Sequence, residues 1–432
     1  MSMAVSSRPE LVVAKTSTIS TVCVMGLGYI GLPSATLFAQ AGLTVHGCDI
    51  NERIAAAVNA GKSLIVEPDL PELLREVAAT GRLTAATAPR PAEAFLITVP
   101  TPAHHDDSHL PDISYVEAAA RLIAPVLVAG NLIVLESTSP VGTTRRVLDI
   151  VRTMRPDLAI SEDESSEIDF AYSPERVIPG RTMVELRSND RVIGGVTPRA
   201  AARTRGLFAA FVEGRFLLTD DRSAELVKLT ENAFRDVNIA FANEMAKVCD
   251  RLGLDAFDVI RLANHHPRVK ILSPGPGVGG HCIAVDPWFI VASAPAETPL
   301  IQAARRTNDE KPGIVVEKAL KALAARPQAK AACFGLTYKA DVDDFRESPA
   351  LEVALELSRR LPGRVLAVDP FAEKLHGQPA AAGVEIADAA RALKEADVLL
   401  MLVGHAAFAH LAPGPHHEII DTIGWRMRHG GT

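Results

Sequence analysis

Residues 19–31 read Ile-Ser-Thr-Val-Cys-Val-Met-Gly-Leu-Gly-Tyr-Ile-Gly. Residues 19–25 are short, β-rich and apolar, and they stop at a glycine, the pattern of a buried strand. Gly26, Gly28 and Gly31 then fall at GxGxxG spacing, with Tyr29 and Ile30 between the last two. In a strand-to-helix turn the first glycine permits the tight bend. The second lets the backbone approach a pyrophosphate, and the third lets the helix pack on the strand. A helix from about Leu32 to Ala41 follows, with Pro33 tolerated in its first turn. Its N-terminus offers unpaired N–H groups and a positive dipole end to phosphates. Residues 44–48 read as the next strand, and Asp49 ends it 18 residues after Gly31. A carboxylate there suits a ribose 2′-hydroxyl and repels a 2′-phosphate, which favours NAD over NADP. The alternative for the motif taken alone is a glycine-rich turn without a ligand.

Working outward, residues 94–99 and 132–136 are further apolar strands, each followed by a Ser/Thr/Pro turn. Strands alternating with helices predict an α/β fold with a doubly wound parallel sheet. The pattern changes at Ser223. From there to Leu252 the chain has no proline or glycine, and Leu226, Leu229, Ala233, Val237 and Ala240 recur at helical spacing. A helix that long bridges domains or packs against a partner subunit. A helix at 256–263 and a Gly/Pro-rich loop at 273–280 come next. Residues 331–336 open a second α/β unit, with a helix at 349–360 and strands at 365–368 and 398–403. That unit has Gly335 but no GxGxxG, so it is not expected to hold a dinucleotide in the same way.

The composition sets bounds. The chain has 432 residues, enough for two or three domains. Its 45 basic and 52 acidic side chains give a net charge of −7, which does not suit nucleic acid or an anionic membrane held by bulk charge. The first residues include Arg8, Glu10 and Lys15 and read as a disordered lead over 1–18 rather than a signal peptide. No apolar run is long enough to span a bilayer. The five cysteines are scattered without a CxxC pair, which fits free thiols in a reducing cytoplasm. Cys23, Cys48, Cys249 and Cys333 have apolar surroundings and read as core.

Cys282 is different. It ends the run Gly275-Pro-Gly-Val-Gly-Gly-His-Cys, in which four glycines allow close backbone approach and positive φ. A thiol exposed on such a loop can attack an aldehyde, whereas the bland reading is a turn with an inert cysteine. His281 beside Cys282 and the pair His265/His266 lack spaced partner ligands, so no metal site is expected. Lys228 and Asn232 lie four apart on the long helix and share a face. Together they can stabilise one substrate oxygen, or they are an ordinary surface pair. Lys339 and Arg346, near the first strand of the second unit, can meet phosphates or remain solvated charges.

These features together resemble the UDP-glucose/GDP-mannose dehydrogenase family, over nearly the whole length from Val22 to about Trp425. The resemblance is carried by Gly-Leu-Gly-Tyr-Ile-Gly-Leu-Pro at 26–33, Thr-Val-Pro-Thr-Pro at 98–102 and Glu-Ser-Thr-Ser-Pro-Val-Gly-Thr-Thr at 136–144. Tyr-Ser-Pro-Glu-Arg-Val-Ile-Pro-Gly at 172–180, the helix bearing Lys228 and Asn232, the loop ending in Cys282, and Phe-Arg-Glu-Ser-Pro at 345–349 complete it. Residues 228–244, 263–269 and 279–290 resemble the branch acting on UDP-N-acetyl-D-mannosamine. The UDP-glucose branch typically has lysine just before the aspartate corresponding to Asp286; here that residue is Val285.

The resemblance implies an NAD-binding Rossmann domain over 19–215, a central helical dimerisation and catalytic region over 216–325, and a Rossmann-like UDP-binding domain over 326–432. It implies oxidation of a sugar C6 alcohol to the carboxylate with two NAD. Cys282 would carry a thiohemiacetal and then a thioester, for surface-polysaccharide synthesis. Lys228 would stabilise the alkoxide, and Asn232 would hold the reacting oxygen. Asp286, Glu175 and Thr138 would position or activate the hydrolytic water. Gly26, Gly28, Tyr29, Ile30, Gly31, Asp49, Pro100, Thr101, Thr138 and Arg346 would meet the cofactor. Glu175, Arg176, Val177, Lys228, Asn232, Arg268, Gly279 and Lys339 would meet the substrate, with Arg268 supplied across a subunit contact. The partners expected are a UDP-N-acetylhexosamine and further copies of the chain, as a homodimer or larger homo-oligomer through the central helix, with no nucleic acid or membrane. Two other readings stay open from the residues. One is a two-electron hydroxyacid dehydrogenase, which would give one NADH per substrate. The other is a non-catalytic NAD or sugar-nucleotide sensor, which would tolerate loss of Lys228 or Cys282.

Overall fold

β1 (Thr21–Met25) is buried from Val22 onward, and its residues alternate between two separate cores. Val22 and Val24 face one, and Cys23 and Met25 face the other. A strand covered on both faces must be apolar on both, which is why the parallel strands read as unbroken hydrophobic runs. Ala94–Ile97 (β4) and Leu132–Leu135 (β5) show the same complete burial.

The computed structural model describes residues 19–102, 110–280, 282–324, 326–375 and 384–429. The expected lead over 1–18 and His281 lie outside them. The chain divides into two compact units, 1–101 with 112–226, and 102–111 with 227–432.

The first unit holds an eight-stranded sheet in the order β3-β2-β1-β4-β5-β6-β7-β8. Its remaining strands are β2 (Thr44–Cys48), β3 (Leu83–Ala86), β6 (Asp169–Tyr172), β7 (Arg191–Gly195) and β8 (Phe216–Asp220). The order reverses between β1 and β4, so the crevice beyond their carboxyl ends is the switch point where ligands bind in such sheets. The sheet is not parallel throughout. β7 pairs antiparallel with β6, and β8 is parallel to β7. An antiparallel neighbour needs no crossover back to the opposite edge. The connection after β6, which carries Glu175, Arg176 and Val177, therefore stays at the carboxyl edge of the parallel strands.

The second unit holds a parallel sheet in the order β11-β10-β9-β12-β13. Its strands are β9 (Ala331–Phe334), β10 (Val365–Val368), β11 (Glu385–Ile386), β12 (Val398–Met401) and β13 (Glu418–Asp421). Again β9 alternates between two cores, with Ala331 and Cys333 in one and Ala332 and Phe334 in the other.

The long helix runs from Asp221 to Leu252. The apolar spacing predicted a helix from Ser223, and not every residue of that spacing faces inward. Leu229, Ala233 and Ala240 are buried, whereas Leu226 is 43% exposed. The buried face also carries Glu225, Lys228, Asn232, Asp236 and Asn243. Most of these fall three or four residues apart, so one polar seam lies along the inner side. Burying such a seam is costly unless its members are hydrogen-bonded, and Glu225, Asn232, Asp236 and Asn243 are.

Candidate active site

In the first unit the turn after β1 is built by contacts that exclude side chains. Gly26 has φ +93°, and a Cβ there would lie 3.1 Å from the carbonyl oxygen of Thr98. A Cβ on Gly31 would fall 1.9 Å from the oxygen of Gly26. In contrast, a Cβ on Gly28 would meet nothing within 4 Å. The first and third glycines thus serve packing, while the second faces open space where a pyrophosphate can approach the backbone. Thr98 on the neighbouring strand end steadies the turn, its Oγ1 lying 2.8 Å from the oxygen of Gly26. The helix Gly31–Gln40 has Ile30 at its N-cap with no side-chain cap. Leu32 N donates to the oxygen of Gly28 at 3.1 Å and Ser34 N to that of Ile30 at 3.0 Å, and Pro33 has no N–H, so the positive dipole end is what the helix offers a phosphate. Tyr29 is exposed beside it.

Asp49 accepts hydrogen bonds from the backbone N–H of Leu27 and Asn51, both at 2.9 Å. It is partly exposed, and each oxygen retains a lone pair for a ribose hydroxyl. These residues fit an NAD adenosine and pyrophosphate. Across the crevice, Thr101 Oγ1 donates to the oxygen of Thr138 at 2.5 Å, joining the turns after β4 and β5. Pro100 precedes Thr101 and is exposed.

The turn holding Thr138 is anchored by Glu225, a residue the sequence reading passed over. Its buried carboxylate accepts from Gly142 N at 2.6 Å, Thr144 N at 2.8 Å and Thr144 Oγ1 at 2.7 Å. It thereby caps the helix Thr143–Met154. Burial pushes the carboxyl up to about 7, against the opposing pull of those donors. Glu136, at the head of the same motif, is buried against Arg191 at 2.7 Å. Burial also raises Glu136, with Arg191 opposing and the charge of Glu175 adding to the rise. Val177 N donates to Glu175 Oε2 at 2.8 Å, and Arg176 Nη1 donates to the oxygen of Asp190 at 3.0 Å. Glu67 holds this loop from beneath by accepting from Gly180 N and Thr182 N.

The second unit carries the thiol. Of the five cysteines only Cys282 is exposed, and none forms a disulfide. Burial pushes the Cys23 thiol up to about 11 and Cys48 and Cys333 up to about 12, so these three are inert. Cys282 stands just before the helix Asp286–Ser293, and Asp286 N donates to its carbonyl oxygen at 2.8 Å. Asp286 is itself buried and accepts from Asn232 Nδ2 at 2.5 Å. Lys228 lies one helical turn away. It is 6% exposed and Asn232 2% exposed. The surface-pair reading of Lys228 and Asn232 is therefore overturned.

Both ends of the cysteine loop hang from the long helix. Asn232 holds the far end through Asp286. Asn243 holds the near end by accepting from Gly275 N at 3.0 Å. Asn243 is oriented in turn by donating to Asn308 Oδ1 at 2.9 Å. Asn308 donates to Asp236 Oδ1 at 2.8 Å, and Arg305 bonds the same oxygen at 2.6 Å. Between these anchors the glycines are required by space. A Cβ on Gly279 would lie 2.3 Å from the oxygen of Glu347, and one on Gly280 would lie 2.8 Å from the Tyr338 ring. Asp236 and Asn243 lie within the stretch 228–244 that carries the resemblance but were given no role, and no sequence motif announces Arg305 or Asn308.

The remaining basic candidates stand elsewhere in the second unit. Lys339 is exposed in the turn after β9, at the switch point between β9 and β12. Arg346 is exposed and forks onto Asp344, at 2.9 and 2.7 Å. Arg268 is exposed beyond the helix Ala256–Ala263. Among the described residues no group of three or more His, Cys, Asp or Glu is placed to hold a metal ion.

The dinucleotide turn of the first unit defines the class as an NAD-dependent oxidoreductase, and the second unit carries one exposed cysteine among the five. The comparisons agree with that class. Three models of one family match in order: its NAD-binding domain at 20–212, its central domain at 222–310 and its UDP-binding domain at 332–423. The chain belongs to the UDP-glucose/GDP-mannose dehydrogenase family, and is an NAD-dependent nucleotide-sugar dehydrogenase. It is 51% identical over 409 residues to the NDP-N-acetyl-D-galactosaminuronic acid dehydrogenase of Ralstonia nicotianae, covering 94% of this chain and 96% of the relative. It is 49% identical over 419 residues to the UDP-N-acetyl-D-mannosamine dehydrogenase of Yersinia pestis, covering 94% and 99%. A solved UDP-N-acetyl-mannosamine dehydrogenase from Staphylococcus aureus superposes with a TM-score of 0.81 at 42% identity, covering 93% of this chain and 94% of the other.

Proposed function

We propose that this enzyme oxidises the C6 alcohol of UDP-N-acetyl-D-mannosamine to the carboxylate, giving UDP-N-acetyl-D-mannosaminuronate. The observation that carries the chemistry is the link from Asn232 through Asp286 to the exposed Cys282. The motif at 263–269 and the relatives named for mannosamine support the epimer. The relative named for N-acetylgalactosaminuronic acid makes UDP-N-acetylgalactosamine the second reading.

Bound at Gly26, Gly28, Gly31 and Asp49, NAD supplies the electron acceptor for both oxidations. Lys228 stabilises negative charge on the C6 oxygen as the alcohol gives its proton to water and its C6 hydride would pass to the bound acceptor, leaving the aldehyde, and Asn232 orients that oxygen. The Cys282 thiolate adds to the C6 aldehyde, forming a C–S bond and a thiohemiacetal. Holding the aldehyde on the chain keeps it from escaping before the second oxidation, which leaves a thioester. Water then adds to the thioester carbon with its proton passing to Asp286. The C–S bond breaks, the Cys282 thiolate is regenerated on the chain, and the acid leaves as the carboxylate with its remaining proton passing to solvent. Glu175 and Thr138 assist in ordering that water. Lys339 meets the UDP phosphates, Arg346 the cofactor, and Arg268 the substrate from a neighbouring subunit.

The chain acts as a homodimer through the long helix. Val227, Phe234, Phe241 and Val248 are exposed at intervals of seven along it, a stripe that a second copy of the helix can cover. The acid product serves surface-polysaccharide synthesis from the cytoplasm. The free thiols suit that compartment, and no helix among the described residues is long and apolar enough to cross a membrane.

The test is the NADH released per UDP-sugar consumed, with the N-acetylmannosamine, N-acetylgalactosamine, N-acetylglucosamine and glucose compounds in parallel. Two NADH from the mannosamine compound with little turnover of the others is the expected result. Two from another sugar moves the substrate. One NADH overturns the double oxidation. Cys282→Ala abolishes acid formation with NAD affinity retained, and uronate formed at the wild-type rate would falsify the covalent step. Phe234→Glu with Phe241→Glu yields monomers in sedimentation; an unchanged dimer removes this stripe as the interface.

A further inference from the structure

The turn after β9 presents Lys339, and one buried histidine ties the chain on both sides of it. His405 is 2% exposed, between the rings of Phe371 and Phe408. Its Nδ1 accepts from Asp341 N at 3.0 Å. That bond fixes the tautomer: Nδ1 holds the lone pair, and Nε2 carries the proton. Nε2 lies 3.0 Å from Thr337 Oγ1 and 3.2 Å from Asp369 Oδ2, so it donates to acceptors. Thr337 Oγ1 donates onward to the carbonyl oxygen of Lys339 at 2.8 Å. The histidine therefore grips the chain two residues before Lys339 and two residues after it. Asp341 sits at φ +59°, a conformation disfavoured for a side-chain-bearing residue, and is held there by Ala406 N donating to its carboxylate at 2.9 Å.

The first sheet provides the contrast. Asp49 and Asp369 occupy equivalent stations, each ending the second strand and accepting from the N–H one residue past the turn glycine, Leu27 and Leu336. Asp49 is partly exposed and available to a ribose. Asp369 is buried against the His405 ring. The station that is open in the first sheet is therefore an internal brace in the second.

We propose that His405 is a positioning residue for nucleotide binding, its two ring nitrogens fixing the 337–341 turn so that Lys339 is presented to the diphosphate of the UDP group. This rests on the reading of Lys339 as a phosphate ligand. Without the brace, Lys339 remains present but its backbone samples other conformations, and binding must order it again.

The test is calorimetric binding of UDP alone to the full-length protein, with NAD affinity measured alongside. His405→Phe keeps a ring between Phe371 and Phe408 but removes both nitrogens. His405→Gln returns one donor and one acceptor. Thr337→Val removes a single hydroxyl at constant shape and carries the test if His405→Phe fails to fold. His405→Phe and Thr337→Val are expected to weaken UDP roughly tenfold, the loss of about one well-placed hydrogen bond. NAD affinity stays unchanged, and His405→Gln recovers part of the loss. Lys339→Ala weakens UDP in the wild type but adds little in the His405→Phe background, because the two act through one contact. Wild-type UDP affinity in both His405→Phe and Thr337→Val, with Lys339→Ala still weakened, overturns the positioning role. Wild-type affinity in Lys339→Ala itself overturns the phosphate-ligand reading instead.

Discussion

Asn232 and Asp286, 54 residues apart in sequence, are joined by a 2.5 Å hydrogen bond from Nδ2 to Oδ2 in a buried setting. The amide cannot turn over without loss, because its oxygen accepts from Arg235. Asp286 is thus held one bond from the helix that bears Lys228 and one bond from the backbone of Cys282.

Asn232→Asp should set two carboxylates against each other in a buried space. One must then take a proton, and the pair can no longer accept and release protons independently. We expect kcat to fall about 100-fold or more, the scale of a lost general base, with NAD affinity unchanged. Steady-state kinetics with separately titrated cofactor check this. A variant with wild-type kcat would remove the Asn232–Asp286 bond from the mechanism.

Gly280→Ala should damage the thiol loop at its tightest point. The residue sits at φ +84°, and the new methyl would lie 2.8 Å from the Tyr338 ring. Left-handed backbone costs an alanine roughly 1–2 kcal/mol, and overpacking adds about 1–3 kcal/mol. Alkylation of Cys282 by iodoacetamide, followed by mass spectrometry, should change rate while the cofactor turn still binds NAD. An unaltered alkylation rate would mean that the loop yields without moving the cysteine.

Asp49→Asn and Asp49→Ala should separate two duties of one carboxylate. Both remove the negative charge and should relax discrimination against NADP. The alanine also strips the acceptor from Leu27 N and Asn51 N, and so costs about 1–3 kcal/mol of stability as well. Cofactor KM ratios and thermal unfolding of the two variants are the measurements. An unchanged NAD to NADP preference would count against the ribose role.

Glu225 gives the fold a pH dependence of definite sign. Its carboxyl is raised from an ordinary 4.5 to about 7 by burial, with the Gly142 and Thr144 donors opposing. A carboxyl raised on folding contributes stability below the unfolded value that is lost as pH climbs through the folded one. The stability of the wild type relative to Glu225→Gln should therefore decline between about pH 4.5 and 7 and level off above. Denaturant unfolding across that range measures it. A difference that grows with pH would show that the three donors favour the carboxylate more than burial penalises it.

Much of this protein was legible in one dimension. The glycine spacing at 26–31, the position of Asp49 and the glycine run before Cys282 are local requirements of backbone geometry, and local requirements leave a local trace. The contrast between Cys282 and the four core cysteines was likewise visible in their neighbours. Hydrophobic runs marked the parallel strands because burial on two faces demands them. The reversal of β7 against β6 left no such mark, since an antiparallel strand buried on both faces has the same composition as a parallel one.

Only the tertiary structure decided what the polar residues do. Lys228 and Asn232 share a helix face by arithmetic, but whether that face meets water or Asp286 depends on a segment more than 50 residues further along. Glu225, Asn243 and His405 are common residue types in unremarkable settings, and their partners lie 81, 32 and 64 residues away in the chain. Hydrogen bonds of that reach have no sequence period. They exist because folding removes these groups from water and each must find an acceptor or donor inside.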